Sequence, residues 1–108
     1  MQNILSLNEF KQQLAEHERV ALLVFDPEDE SSRCAFRNIA EATYLGQKIP
    51  VFVADVKEVV EMQAHYQLTE IPCLLFFVKG KVVEQVKGCS ESDFVKALVE
   101  HSAEGLMK

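Results

Sequence analysis

The segment of residues 20–45 constrains the fold of this chain more than any other. It opens with six consecutive apolar residues, a length and composition typical of a strand buried on both faces of a sheet. The acidic run Asp26–Glu30 cannot continue a central strand, because Pro27 lacks an N–H donor and carboxylates resist burial. Ser31–Ser32 then offers hydroxyl groups that can cap a helix. The segment therefore predicts a buried strand, an acidic loop, and a helix over about residues 32–45 whose first turn carries Cys34.

The neighbouring segments alternate between helical and strand patterns. A capping pattern that starts at Ser6 precedes apolar residues at helical spacing, which predicts a first helix ending near His17. Ile49–Ala54 has the pattern of a second buried strand, and Glu58–Tyr66 that of a third helix. Because strands and helices alternate, we expect parallel strands joined by right-handed crossovers.

The C-terminal part of the chain predicts a β-hairpin and a last helix. Cys73–Val78 and Lys81–Lys87 have strand patterns and are separated by the turn Lys79-Gly80. A second capping pattern at Ser90 precedes a helix that carries Phe94, Ala97, Leu98 and His101. The predicted fold class is α/β: a central mixed four-stranded sheet, made of parallel strands plus the C-terminal hairpin, with helices on both faces.

Composition limits the classes of protein to consider. The 108 residues predict a single domain, 1–108, and the net charge of −6 argues against a nucleic-acid or anionic-membrane partner. No apolar segment approaches the roughly 18 residues of a membrane span, and the first residues lack the pattern of a secretory signal. Three cysteines are an odd set, which favours a reducing compartment over a disulfide-stapled scaffold. We therefore expect a cytoplasmic protein.

Several pieces of the chain match a known family in order. They are Phe25 at the end of the central strand, Cys34 near the helix start, Tyr66 with Leu68, Glu70-Ile71-Pro72, Phe76 to Gly80, and Gly88. Together, over about residues 6–102, they resemble the thioredoxin family. The resemblance implies a thioredoxin-like fold in which the peptide bond before Pro72 is cis and faces the catalytic cysteines.

The chain departs from this family at the redox motif. Where relatives have Cys-x-x-Cys, this chain reads Ser31-Ser32-Arg33-Cys34, and it contains no Trp. The resemblance puts Ser31 at the position of the nucleophilic cysteine and Cys34 at that of the resolving one. The buried aspartate of the family would fall at Val24, and the loop before the motif is about one residue longer. Because an unactivated hydroxyl does not replace a thiolate, the motif is not expected to support a general dithiol–disulfide reductase.

The reactivity of Cys34 depends on opposing influences. A helix N-terminus and the neighbouring Arg33 and Arg37 lower the pKa of a thiol, whereas the acidic loop and burial raise it. Cys73 follows Pro72, so it is a possible second thiol if its Cα lies within about 7 Å of that of Cys34. Alternatively, Cys73 is a small apolar strand residue. For Cys89, intermolecular oxidation is expected rather than a designed role.

Other polar residues have both functional and structural interpretations. The Ser31 hydroxyl could donate to a bound thiolate, as in glutathione-binding relatives, or cap the helix. The acidic loop lacks the spacing of a calcium loop and is interpreted as solvated charge. His17, His65 and His101 lack the spacing of metal ligands, so neither a metal nor another cofactor is predicted.

Two functional hypotheses follow. In the first, the chain is a binding, adaptor or thiol-sensing protein. Its groove would be formed by the Ser31–Cys34 turn, Ile71-Pro72 and Gly88, where an extended peptide pairs beside Pro72. The partner would be a protein or peptide, including one that contains cysteine, and the chain a monomer or weak dimer. In the second, it is an atypical monothiol or rearranged thiol–disulfide oxidoreductase of cell redox homeostasis, using Cys34 with Cys73 or a small thiol.

Overall fold

A computed structural model of the protein describes residues 2–43, 49–89, 93–94 and 96–97. In chain order its elements are β1 (Gln2–Asn3), α1 (Leu7–Glu16), β2 (Arg19–Phe25), α2 (Glu30–Thr43), β3 (Val51–Asp55), α3 (Glu61–His65), β4 (Cys73–Val78) and β5 (Lys81–Lys87). Residues 93–94 and 96–97 are helical. Ser90, Leu98 and His101 of the predicted last helix lie outside the described residues.

The sheet contains five strands in the order β1-β3-β2-β4-β5. The pairs β1/β3 and β3/β2 are parallel, and the pairs β2/β4 and β4/β5 are antiparallel. The predicted α/β fold with a mixed sheet is confirmed, but its four strands are corrected to five. The additional strand, β1, has two residues, which pair with Phe52 and Val53 of β3. So short a strand carries no periodic pattern that the sequence could reveal.

β2 lies at the centre of the sheet and divides the core into two parts. The side chains of Ala21 and Leu23 pack on one face with Ala35 and Ile39 of α2; this cluster is called the α2-side core. The side chains of Val20, Leu22 and Val24 pack on the other face with residues of α1 and α3; this cluster is called the α1-side core. Because the side chains of a strand alternate between faces, one apolar run supplies both parts.

The helix α1 begins and ends close to the predicted positions, and α2 begins two residues before its predicted start; residues 44–45 of the predicted second helix lie outside the described residues. At the start of α1, the Ser6 hydroxyl accepts a hydrogen bond from Glu9 N at 3.0 Å, and the Glu9 carboxylate accepts one from Leu5 N at 2.8 Å. These bonds satisfy donors that the first helical turn leaves unpaired. The third helix is shorter than predicted, Glu61–His65. In the part of the chain described, no helix combines the length and apolar character needed to cross a membrane.

Phe10 provides a test of how much the α1-side core contributes to stability. Its ring is fully buried and lies 5.2 Å from the Phe77 ring and 6.1 Å from the Phe52 ring, between centroids. Phe10→Ala is expected to lower the free energy of unfolding by about 3–5 kcal/mol, because it removes a large buried ring and leaves a cavity. Urea unfolding measures this loss. As a control, Leu5→Ala at a 65% exposed side chain should change it by less than about 0.5 kcal/mol. Equal losses for both variants would contradict the assignment of the core.

Candidate functional site

The loop between β2 and α2 is fixed by hydrogen bonds to its own backbone. The Asp29 carboxylate accepts from Ser32 N at 2.8 Å, and the Asp29 carbonyl accepts from Arg33 N at 3.0 Å, so Asp29 caps α2. The buried Ser32 hydroxyl accepts instead from Asp26 N at 3.1 Å. The prediction that a serine hydroxyl caps this helix is therefore wrong, since the preceding carboxylate takes that role. Ser31 is exposed at the start of α2.

Cys34 forms a disulfide with Cys89. Cys34 is the fifth residue of α2, and Cys89 follows Gly88 directly after β5. The Cα atoms of the two cysteines are 5.8 Å apart, within the normal range for this bond. Both residues are partly buried. The expectation of intermolecular oxidation at Cys89 is wrong, because the loop after β5 turns back against α2 and Cys89 bonds within the chain.

Cys73 is not the partner of Cys34. Its side chain is 1% exposed, carries a free thiol and packs in the α1-side core, whereas Cys89 packs against the α2-side core. The sheet therefore separates Cys73 from the disulfide, and the proposed Cys34–Cys73 pair is corrected to Cys34–Cys89. The alternative interpretation of Cys73, a small apolar strand residue, agrees with its position. Burial raises the pKa of the Cys73 thiol to about 11.

The segment before β4 lies against the loop that carries Cys89. The Ile71–Pro72 peptide bond is cis, and the Pro72 carbonyl accepts a hydrogen bond from Gly88 N at 3.0 Å. Pro72 is buried and Ile71 is partly exposed. Gly88 has a φ of 77°, a conformation that glycine adopts without the strain of a Cβ atom. Three of the predicted site residues, Cys34, Pro72 and Gly88, are thus connected through Cys89.

Asn38 contacts both sulfur atoms of the disulfide. Its Nδ2 lies 3.0 Å from Cys89 Sγ and 3.8 Å from Cys34 Sγ. Because Asn38 lies four residues after Cys34 on α2, the two side chains share one face of the helix. Neither Asn38 nor Cys89 is among the site residues predicted from the sequence. An available signal is the asparagine itself, which has a weak helix propensity and stands one turn after the cysteine.

Lys57 forms two ion pairs with the acidic loop. Its Nζ lies 2.8 Å from Glu28 Oε2 and 3.6 Å from Asp26 Oδ1. The hydrogen bond to Glu28, followed by the charge of Asp26, raises the pKa of Lys57 above its ordinary value. Arg33 Nη1 donates to the Pro27 carbonyl at 3.1 Å. Within residues 2–43, 49–89, 93–94 and 96–97, no group of three His, Cys, Asp or Glu side chains is arranged to hold a metal ion.

An apolar groove lies on the side of α2 that carries Arg33, and neither disulfide cysteine is among its lining residues. It has a volume of about 400 Å³. Its lining residues are Asn3, Phe25, Pro27, Arg33, Phe36 and Arg37. The Phe25 and Phe36 rings contact each other with their centroids 5.3 Å apart. The groove therefore combines an aromatic surface with two guanidinium groups.

Solved structures of thioredoxins share this fold. The thioredoxin of Plasmodium falciparum aligns with a TM-score of 0.89 and 19% identity, over 94% of this chain and 100% of its own. The thioredoxin of Malassezia sympodialis aligns with a TM-score of 0.84 and 21% identity, over 95% and 91% of the two chains. The thioredoxin of Fasciola hepatica gives 0.84 and 20%, over 94% and 100%. No protein-family model and no curated protein sequence matches the chain. The protein is a thioredoxin-like domain in fold.

The buried Cys73 thiol predicts a dependence of stability on alkaline pH. The folded pKa of about 11 lies above the ordinary 9.0, and the two disulfide cysteines do not titrate. The contribution of the Cys73 thiol to the free energy of unfolding is therefore complete below pH 9. It is lost as the pH rises toward 11, because the thiol ionises in the unfolded chain first. Urea unfolding at pH 8 to 11 should show wild type losing more stability than Cys73→Ala. Parallel losses in the two proteins would contradict this prediction.

The disulfide is also expected to contribute to stability. Cys34 and Cys89 are 55 residues apart in sequence, and closing a loop of that length removes conformational entropy from the unfolded chain worth at most about 4 kcal/mol. Adding a reductant should therefore move the urea midpoint of wild type downward. The double variant Cys34→Ser/Cys89→Ser serves as the control and should not respond to reductant. A wild-type midpoint that is identical with and without reductant would exclude this contribution.

Proposed function

We propose that this protein exchanges thiols and disulfides with a protein partner through the pair Cys34–Cys89, in place of a Cys-x-x-Cys pair. The observation that carries the proposal is the disulfide between α2 and the loop after β5. Redox chemistry of this kind is suggested by the neighbouring structures, which are thioredoxins by name. The rearranged oxidoreductase is thus favoured over a protein without thiol chemistry, with Cys89 rather than Cys73 as the second thiol.

The exchange needs only the two sulfur atoms of this pair. In the reduced protein, one thiolate attacks a disulfide of the partner, and the partner's other sulfur leaves as a thiolate. The second thiolate then attacks the mixed disulfide, which releases the partner reduced and forms the Cys34–Cys89 bond. Two thiols are oxidised and one disulfide is reduced. Ser31, at the position of the family's nucleophile, takes no part, because its hydroxyl is not ionised at neutral pH.

The partner is proposed to be an extended peptide segment that contains cysteine. Cis-Pro72 is joined to the Gly88 loop by a hydrogen bond, and that loop is joined to the first residues of α2 by the disulfide. The partner segment would add as a strand beside this surface. The groove lined by Phe25 and Phe36 also carries Arg33 and Arg37, and it would favour a partner segment with an apolar residue next to an acidic one.

An adaptor or thiol-sensing role is the second candidate. It is supported by Ser31, which the family resemblance puts at the position of the usual nucleophile, and by the hydrogen bond that joins Gly88 to Pro72. In this role the Cys34–Cys89 pair would change oxidation state without turning over a substrate. A reducing compartment such as the cytoplasm suits both candidates, since the resting pair is then available as thiols.

A disulfide-reductase assay separates the candidates. With insulin as the disulfide substrate and dithiothreitol as the reductant, wild type should accelerate reduction, and Cys34→Ser and Cys89→Ser should each abolish the acceleration. Cys73→Ala is the matched control and should retain activity, because Cys73 lies on the other face of the sheet. Thiol counting should find one free thiol per chain after air oxidation, in agreement with the single free cysteine of the structure.

Two results would oppose the oxidoreductase proposal. If wild type gives no acceleration, the enzyme hypothesis fails, and the adaptor role with a redox-sensitive pair is retained only if one thiol is counted after oxidation. If Cys89→Ser keeps full activity, the pair is wrong even if Cys34 is reactive.

A further inference from the structure

Asn38 lies closer to one sulfur of the disulfide than to the other. Its amide Nδ2 is 3.0 Å from Cys89 Sγ but 3.8 Å from Cys34 Sγ. The partly buried amide is held by α2, the same helix that holds Cys34, so its position does not depend on the loop that carries Cys89. Such an asymmetric contact distinguishes the two thiols that appear when the bond is reduced.

We propose that Asn38 is a catalytic residue that donates a hydrogen bond to the Cys89 thiolate and so makes Cys89 the leaving group when the disulfide is reduced. The inference rests on the proposed function and assigns different roles to its two cysteines. Hydrogen bonds to a charged acceptor are stronger than those to a neutral one. A donor at this position therefore stabilises the Cys89 thiolate more than the thiol and lowers its pKa.

The roles of the two sulfurs follow from this difference. A thiol of lower pKa leaves faster, so an external thiolate from a small thiol or a protein dithiol attacks Cys34 Sγ. The bond between Cys34 and Cys89 breaks, a new S–S bond joins Cys34 to the attacking sulfur, and the electron pair remains on Cys89 Sγ. In the opposite direction, the partner is held by a mixed disulfide on Cys34. The Cys89 thiolate attacks Cys34 Sγ and expels the partner's thiolate.

The elements around Cys89 also carry charged side chains. They are Arg33 and Arg37 of α2, Glu70 before the cis-proline, Lys87 at the end of β5, and Asp93 in the helical segment that follows. Asn38 differs from these groups because it is uncharged and because it contacts the sulfur atoms directly. Replacing Asn38 should therefore change the pKa of Cys89 more than that of Cys34. Replacing one of the charged side chains should not favour one thiol in this way.

The test measures the pKa of each thiol separately. In the Cys34→Ser background, the rate of Cys89 alkylation by iodoacetamide is followed from pH 5 to 9, with and without Asn38→Ala. We expect Asn38→Ala to raise the pKa of Cys89 by about 1, so that the thiolate fraction at pH 7 falls roughly tenfold. Cys73 does not interfere in this range, since it is buried and its pKa is about 11.

The same substitution in the Cys89→Ser background is the matched control. There the pKa of Cys34 should change less, because the amide is farther from its sulfur. Asn38→Asp is a second variant, with a side chain of the same shape, for the case that alanine disturbs the fold. It replaces the donor by a carboxylate, which should raise the pKa of Cys89 further than alanine does. With Cys34 and Cys89 intact, Asn38→Ala should also slow reduction of the disulfide by glutathione several-fold.

Two outcomes would overturn the inference. One is a Cys89 pKa that Asn38→Ala leaves unchanged. The other is an equal or larger change at Cys34 in the control background. Failure of the proposed function is recognised separately, because the thiol measurements use single-thiol variants that need no turnover. A protein without reductase activity could still show the Asn38 effect, and an active one could lack it.

Discussion

The hydrogen bonding of β2 to a strand on each side determines where the candidate site residues meet. Val24 near the end of β2 pairs with Cys73 at the start of β4, and Cys73 in turn pairs with Lys87 at the end of β5. The end of β2, the start of β4 and the end of β5 therefore lie side by side at one end of the sheet. Because Pro72 precedes that register and Gly88 follows it, both lie beside the N-terminal part of α2. The site is a consequence of this register.

The two faces of the sheet divide the three thiols between different environments. Cys73 is one residue beyond the cis-proline, and strand alternation directs its side chain into the α1-side core, where burial keeps it protonated. Cys34 and Cys89 are partly buried on the other face and contact the amide of Asn38. The environment of each thiol thus depends more on the face of the sheet on which its side chain lies than on its distance in sequence from Pro72. The Cys34–Cys89 pair differs from Cys73 in its polar contact with Asn38 and in its partial exposure.

The sequence predicts the parts of this fold that carry strong local patterns. Cys73–Val78 and Lys81–Lys87 have the bounds predicted for them, because an apolar run, a Lys-Gly turn and a second strand specify a hairpin locally. The strand β1 could not be predicted because two residues are too few to show a periodic pattern. From the sequence, the cap of α2 is assigned to a serine because Asp29, Ser31 and Ser32 are all acceptors of a suitable kind near the start of that helix. The pairing of Cys34 with Cys89 depends on a strand register and a loop direction, neither of which leaves a periodic signal.

The covalent bond between α2 and the loop after β5 also changes the connectivity of the molecule. It closes a ring that contains all of β3, α3, β4 and β5, within a sequence separation of 55 residues. A protease that cuts the backbone once inside that ring leaves the oxidised chain in one piece, since the two fragments stay tethered through sulfur. The same cut in the reduced chain produces fragments held together only by non-covalent contacts. The oxidation state of two side chains thus decides whether a nicked molecule survives as a single covalent unit.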